Sequence, residues 1–97
     1  MLTPKQRAYL RSLAQKENAL FQIGKSGVTP EFIQSTDDAL EKRELIKISV
    51  LNNCEEELAD AAEKTASRTH SEVVQIIGRK FVLYRASRKP HIELPKA

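Results

Sequence analysis

The stretch Ile23-Gly24-Lys25-Ser26-Gly27-Val28-Thr29-Pro30 joins a short apolar run to the start of a helix. Two glycines three residues apart let the backbone adopt positive φ and approach a partner closely. Thr29 is a typical N-cap and Pro30 a typical first helical residue. A helix N-terminus carries unpaired amides and partial positive charge, to which Lys25 adds a full charge. We therefore expect this loop to hold an anion.

Apolar residues at helical or strand spacing predict seven elements around the loop. In chain order, we expect a helix over about 4–16, a strand over 19–23, a helix over 30–43, a strand over 45–51, a helix capped by Asn53 with Glu56, and strands over 73–77 and 81–85. The first three strands are joined through helices, so they should run parallel. A type II′ turn that starts at Gly78 should reverse the last strand.

Polar residues on one side of each strand predict that the helices cover a single face of the sheet. Examples are Gln22, Lys47 and Gln75. The expected fold class is α/β, a two-layer sandwich of order α-β-α-β-α-β-β with a four-stranded mixed sheet. Residues 86–97 contain two prolines and should form an extended tail.

The composition suits one small intracellular domain. With 97 residues and 40% hydrophobic residues, the chain can build one modest core. No apolar stretch near the start is long enough for a signal peptide or a membrane span, so we expect a cytoplasmic protein, monomeric in isolation. Cys54 is the only cysteine, which rules out an internal disulfide and a thiolate metal cluster.

The net charge of +3 hides an uneven distribution. Residues 1–28 carry five basic residues against one acidic, and 79–97 carry six against one. The middle, 29–78, has five basic residues against eleven acidic. If the two ends meet in space, they favour a polyanionic partner, whereas the acidic start of the third helix should face away from it. A well-solvated surface of mixed charge is the other interpretation.

The Gly24-Lys25-Ser26 triplet contains only half of a nucleotide-binding Walker loop. That motif needs a glycine five residues before the Gly-Lys pair, and Ala19 occupies this position. A Gly-x-x-Gly clamp that grips a nucleic-acid backbone is one interpretation of the loop, and an ordinary tight turn is the other.

Arg7 and Arg11 lie four residues apart on the first helix, where like charges repel unless an anion lies between them.

Residues suited to catalysis are scattered. His70 should end a helix and His91 lies in the tail, neither beside other metal ligands. Cys54 lacks a base, and Asp37 and Asp38 point in different directions on a helix. We therefore predict no catalytic residues, no metal site, no cofactor and no enzymatic activity.

Several segments in combination are more specific than any single motif. They are residues 21–29 (FQIGKSGVT), 39–41 (ALE), 43–48 (RELIKI), 74–85 (VQIIGRKFVLYR) and 92–95 (IELP). In this order they resemble the CRM domain, the chloroplast RNA splicing and ribosome maturation domain, in its stand-alone bacterial YhbY-type form. The resemblance covers almost the whole chain, 1–97, and implies a fold similar to the C-terminal domain of translation initiation factor three.

The resemblance also implies RNA binding and association with precursors of the large ribosomal subunit. The family's Gly-Lys-x-Gly loop falls on Gly24, Lys25, Ser26 and Gly27. The basic surface around it is expected to include Arg7, Arg11, Arg79, Lys80, Arg85 and Arg88. The alternative is an adaptor that docks on a ribosomal protein or assembly factor through the acidic third helix.

Overall fold

The computed structural model describes residues 2–96 and contains three helices and four strands. In chain order they are α1 (Pro4–Ala14), β1 (Phe21–Ile23), α2 (Pro30–Arg43), β2 (Leu45–Val50), α3 (Leu58–Thr69), β3 (Glu72–Ile77) and β4 (Lys80–Tyr84). The predicted α/β class and order of elements are confirmed.

The sheet is mixed, with strand order β1-β2-β4-β3. β1 pairs with β2 in parallel, and β4 is antiparallel to both of its neighbours, β2 and β3. The first three strands therefore point the same way and β4 points back, as predicted. Gly78 begins the β3–β4 turn with φ 59°, the positive value that the first position of a II′ turn requires.

One face of the sheet carries the larger core, against α2 and α3. Alternate residues of β2 and β4 point to this face, among them Ile48 and Phe81, which are fully buried. Leu40 of α2 and the small residues Ala61 and Ala62 of α3 complete the contact. Because side chains alternate along a strand, the neighbouring residues of β2 and β4 face the other side.

The other face of the sheet is covered in part by α1, which corrects the predicted placement of all helices on one face. Leu10 and Ala14 of α1 pack against Leu45, Val82 and Tyr84. Along β2 and β4, the polar residues of this face lie in the half nearest the glycine loop, whereas the other half is apolar and needs a cover. The polar residues of β2 and β3 obscured that division in the sequence.

Side-chain caps explain where α1 and α2 begin. The Thr3 hydroxyl accepts from the Gln6 amide at 3.2 Å, and the Gln6 side chain accepts from the Thr3 amide at 3.1 Å, which is the predicted capping box. Thr29 caps α2 in the same manner by accepting from the Phe32 amide at 3.1 Å. In both helices proline occupies the first turn.

The start of α3 differs from its prediction. The helix begins at Leu58 after Glu57, whose side chain makes no capping hydrogen bond, and not after Asn53. Glu56, the expected partner in a capping box, bonds outside its own segment, to the Val28 amide and the Lys64 ammonium. A long-range contact therefore outcompetes the local cap.

Residues 86–96, the segment expected to form an extended tail, contain no helix or strand and are attached to the domain. Glu44 is completely buried, and its carboxylate accepts from the amides of Ser87 and His91 at 2.8 Å and of Ile92 at 2.9 Å. Burial by itself would raise the pKa of Glu44, but these three amides and the nearby His91 hold it below its ordinary value. Ile92 and Leu94 then pack beside α1.

Candidate nucleic-acid interface

The glycine loop is a tight turn that presents two exposed side chains. The Gly27 amide donates to the Gly24 carbonyl at 3.0 Å, so Lys25 and Ser26 occupy the central positions. Both side chains are exposed. Gly27 has φ 68°, a conformation that favours glycine, whereas Gly24 does not lie in the positive-φ region. The expectation of positive φ therefore holds for one of the two glycines.

The amide-rich end of α2 is already partly satisfied within the chain. The Val28 amide donates to the Glu56 carboxylate at 2.9 Å, and Lys64 approaches the other oxygen of that carboxylate at 2.7 Å. The hydrogen bond from Lys64, followed by that from Val28, lowers the pKa of Glu56. The acidic segment before α3 thus lies against the loop and does not face away from it.

Arg79 lies beside the loop and is held in a defined position. Its guanidinium donates from Nε to the Val50 carbonyl at 3.0 Å and from Nη2 to the Leu51 carbonyl at 2.9 Å. Leu51 also connects to the loop strand, because its amide donates to the Ile23 carbonyl at 2.9 Å. Carbonyls do not neutralise a guanidinium, so the positive charge of Arg79 is retained at the end of the sheet that carries the loop.

The uncovered half of the sheet face extends this basic region. The pairing aligns Gln22, Ser49, Lys80 and Ile77 across the four strands on the side opposite α2 and α3. Lys47 lies on the same side one row away, diagonal to Lys80, with about 7–8 Å expected between such positions. The sequence assigned Lys47 to a polar face without identifying it as a site residue. Its signal was the period-two alternation of β2.

The two arginines of α1 have different surroundings. Arg7 donates from Nη1 to the carbonyls of Val73 and Val74, where the β3 ladder is irregular, and it lies 4.0 Å from Glu72. It therefore holds α1 against the edge strand. Arg11 is exposed on the helix. Only Arg11 of the pair is available to a ligand without breaking such contacts.

Arg85 and Arg88 lie at the opposite end of the sheet from the loop, just after β4. Arg85 contacts two carboxylates, that of Asp37 at 2.6 Å and that of Glu41 at 3.6 Å, and it also donates to the Thr69 carbonyl at 2.8 Å. These bonds join β4 to α2 and α3. The structure therefore places Lys25, Arg79 and Lys80 at the same end of the sheet, and it separates them from Arg85 and Arg88.

The described residues offer little for other chemistry. Between residues 2 and 96, no three His, Cys, Asp or Glu side chains converge as metal ligands would. No helix in that range is both long and apolar enough to cross a bilayer. His70 ends α3 in the left-handed conformation, as its predicted helix-end role requires.

Fold and surface together define a small α/β domain with an exposed Gly-Lys-Ser-Gly turn at one basic end of its sheet. Residues 2–85 match the model of the CRS1/YhbY (CRM) domain family. The chain therefore belongs to the CRS1/YhbY (CRM) domain family, as its resemblance to that family implied.

Individual relatives align along nearly the full chain. The chain is 49% identical over 96 residues to the probable RNA-binding protein YqeI of Bacillus subtilis, covering 98% of this chain and 100% of the relative. It is 33% identical over 95 residues to an RNA-binding protein of Haemophilus influenzae, covering 98% and 96%. The solution structure of SAV1595 from Staphylococcus aureus matches with a TM-score of 0.83 and 49% identity, over 98% of this chain and 100% of that one.

Proposed function

We propose that this protein binds RNA without catalysing a reaction, and that it acts on precursors of the large ribosomal subunit during ribosome assembly. Relatives that align along the full chain are named RNA-binding proteins, which supports the RNA part of the proposal. The ribosomal part follows from the resemblance to the YhbY-type proteins. The Gly24–Gly27 turn is the proposed centre of the contact.

The observation that carries the proposal is the placement of Arg79 beside the Lys25 turn. A guanidinium already held by two carbonyls loses little side-chain entropy when a phosphate binds. Lys25 is exposed at the tip of the turn and can reach the same strand of RNA. A positioned arginine and a mobile lysine together suit a phosphodiester backbone.

The supply of aromatic side chains indicates how RNA would be read. Phe21 and Phe32 pack edge to face inside the domain with centroids 6.0 Å apart, and Phe81 and Tyr84 are buried. Tyr9 is the most exposed aromatic, at 39%. One exposed ring cannot stack several bases, so we expect recognition of backbone and shape, with affinity that falls steeply as salt rises.

The test is RNA affinity of Lys25→Glu, measured with protein-free large-subunit precursor RNA. We expect a loss of roughly tenfold, because a charge-assisted contact becomes a repulsion. Lys5→Glu is the matched control, since Lys5 is exposed in the first turn of α1, at the end of the sheet remote from the loop. Equal affinity of the two variants, with unchanged far-UV circular dichroism, would contradict the role of the loop.

A protein-docking adaptor is the second candidate, and one observation favours it. Ile76 and Ile77 are 45% and 57% exposed on β3, an edge strand of the sheet. Apolar side chains on an unpaired strand edge are typical of protein contacts. An adaptor would join precursor particles but would not bind the protein-free RNA.

A further inference from the structure

A second basic site lies at the end of the sheet remote from the glycine loop. There, the C-terminal ends of α1 and α2 and the tail surround an open hollow of about 400 Å³. This volume is within the range of small-ligand sites. We call it the cationic hollow, and its lining residues are Leu13, Lys16, Glu17, Lys42, Arg43, Leu45, His91 and Ile92.

The cationic hollow has an apolar part and a charged part. Leu13, Leu45 and Ile92 belong to the core cluster under α1 or pack against it, so they offer a fixed apolar surface. Lys16, Lys42 and Arg43 contribute exposed cationic side chains. An apolar surface beside several cations suits a ligand that joins a flat ring to an anion.

The positive charge extends beyond the hollow. An adjoining depression shares Lys42 and His91 and adds Arg88 and Lys89. Within residues 2–96, no ion pair to a carboxylate involves Lys16, Lys42, Arg43, Arg88 or Lys89.

The nearby acids have other partners. Glu41 pairs with Arg85, and Glu44 accepts from three tail amides. Glu17 is the acidic residue in the lining of the cationic hollow. The helix dipole accounts for Lys42 and Arg43, which lie in the last turn of α2. The helix dipole does not account for Arg88 and Lys89, the cations that the tail brings to the same place.

We propose that the cationic hollow is a second RNA site that takes one unstacked nucleotide. The base would lie on Leu13, Leu45 and Ile92, and the adjoining phosphates would meet the lysines and arginines of the rim. His91 lies with Nδ1 3.1 Å from the Glu44 carboxylate, which leaves Nε2 for the nucleotide. This inference rests on the proposed function, because it adds a second contact to the same RNA.

The distance between the two sites explains why a second contact would matter. Leu45 lines the hollow and Val50 lies beside the glycine loop, and five steps along a strand span roughly 17 Å. A single RNA strand of several nucleotides can bridge that length. Two weak contacts on one strand raise the affinity beyond either one, through the effective concentration of the second.

The experiment compares Lys42→Glu with Lys5→Glu, because both residues are exposed lysines on a helix and Lys5 does not line the hollow. Binding is measured for a 4-thiouridine-labelled single strand long enough to reach both sites and for a trinucleotide that cannot. For the long strand we expect Lys42→Glu to lose roughly tenfold in affinity and the salt slope to fall by about 0.7. Lys5→Glu should change it less than about twofold.

The outcomes separate this proposal from the proposed function. Photocrosslinks from the long strand to peptides that contain Leu13 or Ile92, together with the loss in Lys42→Glu, would support the second site. If Lys42→Glu matches Lys5→Glu while Lys25→Glu loses binding, the cationic hollow takes no nucleotide and the proposed function stands. If the unaltered protein binds no RNA, both proposals fall.

Discussion

The Glu56 carboxylate accepts a hydrogen bond from the Val28 amide at 2.9 Å, across a separation of 28 residues. The same carboxylate lies against Gly27, where a Cβ would come within 2.5 Å of its Oε1 atom. Gly27 is thus favoured for two reasons: its φ is positive, and a Cβ there would have to displace the end of the Glu56 side chain from its hydrogen bonds to Val28 and Lys64. The acidic segment before α3 supports the loop and sets its shape.

Gly27→Ala should destabilise the protein more than Gly78→Ala does. Both residues have positive φ, but only Gly27 faces a carboxylate, whereas nothing lies within 4 Å of the position that a Cβ would take at Gly78. We expect about 1 kcal/mol for the backbone strain at either site and about 1 kcal/mol more at Gly27. Urea unfolding of the two variants measures the difference.

A second substitution tests the cause of that difference. Truncation of the carboxylate in Gly27→Ala/Glu56→Ala removes the clash, so the added cost of Gly27→Ala should be smaller in the Glu56→Ala background than alone. Additive effects of the two substitutions would refute the contact.

The free energy of unfolding should decline as the pH falls below the ordinary pKa range of carboxyl groups. The pKa of Glu44 and that of Glu56 are both lowered from 4.5 in the folded protein. A lowered folded pKa adds stability above the unfolded pKa, and this stability is lost as the pH falls through the folded value. Urea unfolding between pH 7 and pH 2 should show the decline beginning near 4.5.

Glu44→Gln should flatten that profile at a cost in stability at neutral pH. A glutamine keeps one acceptor oxygen for three amides and loses the charge, which we expect to cost about 2–4 kcal/mol. Glu93→Gln is the control, because Glu93 is exposed in the same tail. If the two variants have the same pH profile, the buried carboxylate does not govern acid sensitivity.

Arg85→Met should weaken the fold without weakening RNA binding by the folded protein. Arg85 is only 19% exposed and bridges Asp37 to the Thr69 carbonyl, so its removal leaves these acceptors without their donor. We expect a loss of about 2 kcal/mol in the free energy of unfolding. RNA affinity should be measured well below the midpoint of urea denaturation. A tenfold loss of affinity under those conditions would show that Arg85 contacts RNA.

Arg79→Lys should reduce RNA affinity even though the charge is retained. Lysine cannot reproduce the fork that donates to Val50 and Leu51, so its ammonium would no longer be fixed beside the loop. We expect a severalfold loss, near 1 kcal/mol. Lys80→Arg is the comparison, since Lys80 is exposed with no such fork to preserve, and it should bind RNA nearly as well as the unaltered protein.

The sequence predicted the elements well because their signals are local. Thr3 with Gln6, Thr29 with Pro30, and the alternation over 45–50 each depend on neighbours a few residues away. The side of the sheet that α1 covers was wrongly predicted. That choice depends on how Leu45, Val82 and Tyr84 come together from two strands, and no single segment reveals it.

The candidate site residues show the same contrast between local signals and long-range contacts. The Lys25 turn was found because glycine, proline and threonine mark its geometry. The structural tasks of Arg7 and Arg85 could not be predicted, because their partners are 66 and 48 residues away. Glu56 was assigned to a cap for the same reason.

The attachment of the tail to Glu44 has a consequence for protein synthesis. Glu44 is made midway along the chain, whereas the amides that stabilise its buried charge belong to residues 87–92. A nascent chain that has reached only β4 holds all four strands but leaves this carboxylate without those amides. The native state should therefore form only after residues 87–92 have been made, and a product that ends before Ser87 should be exposed to proteolysis as an incompletely folded domain.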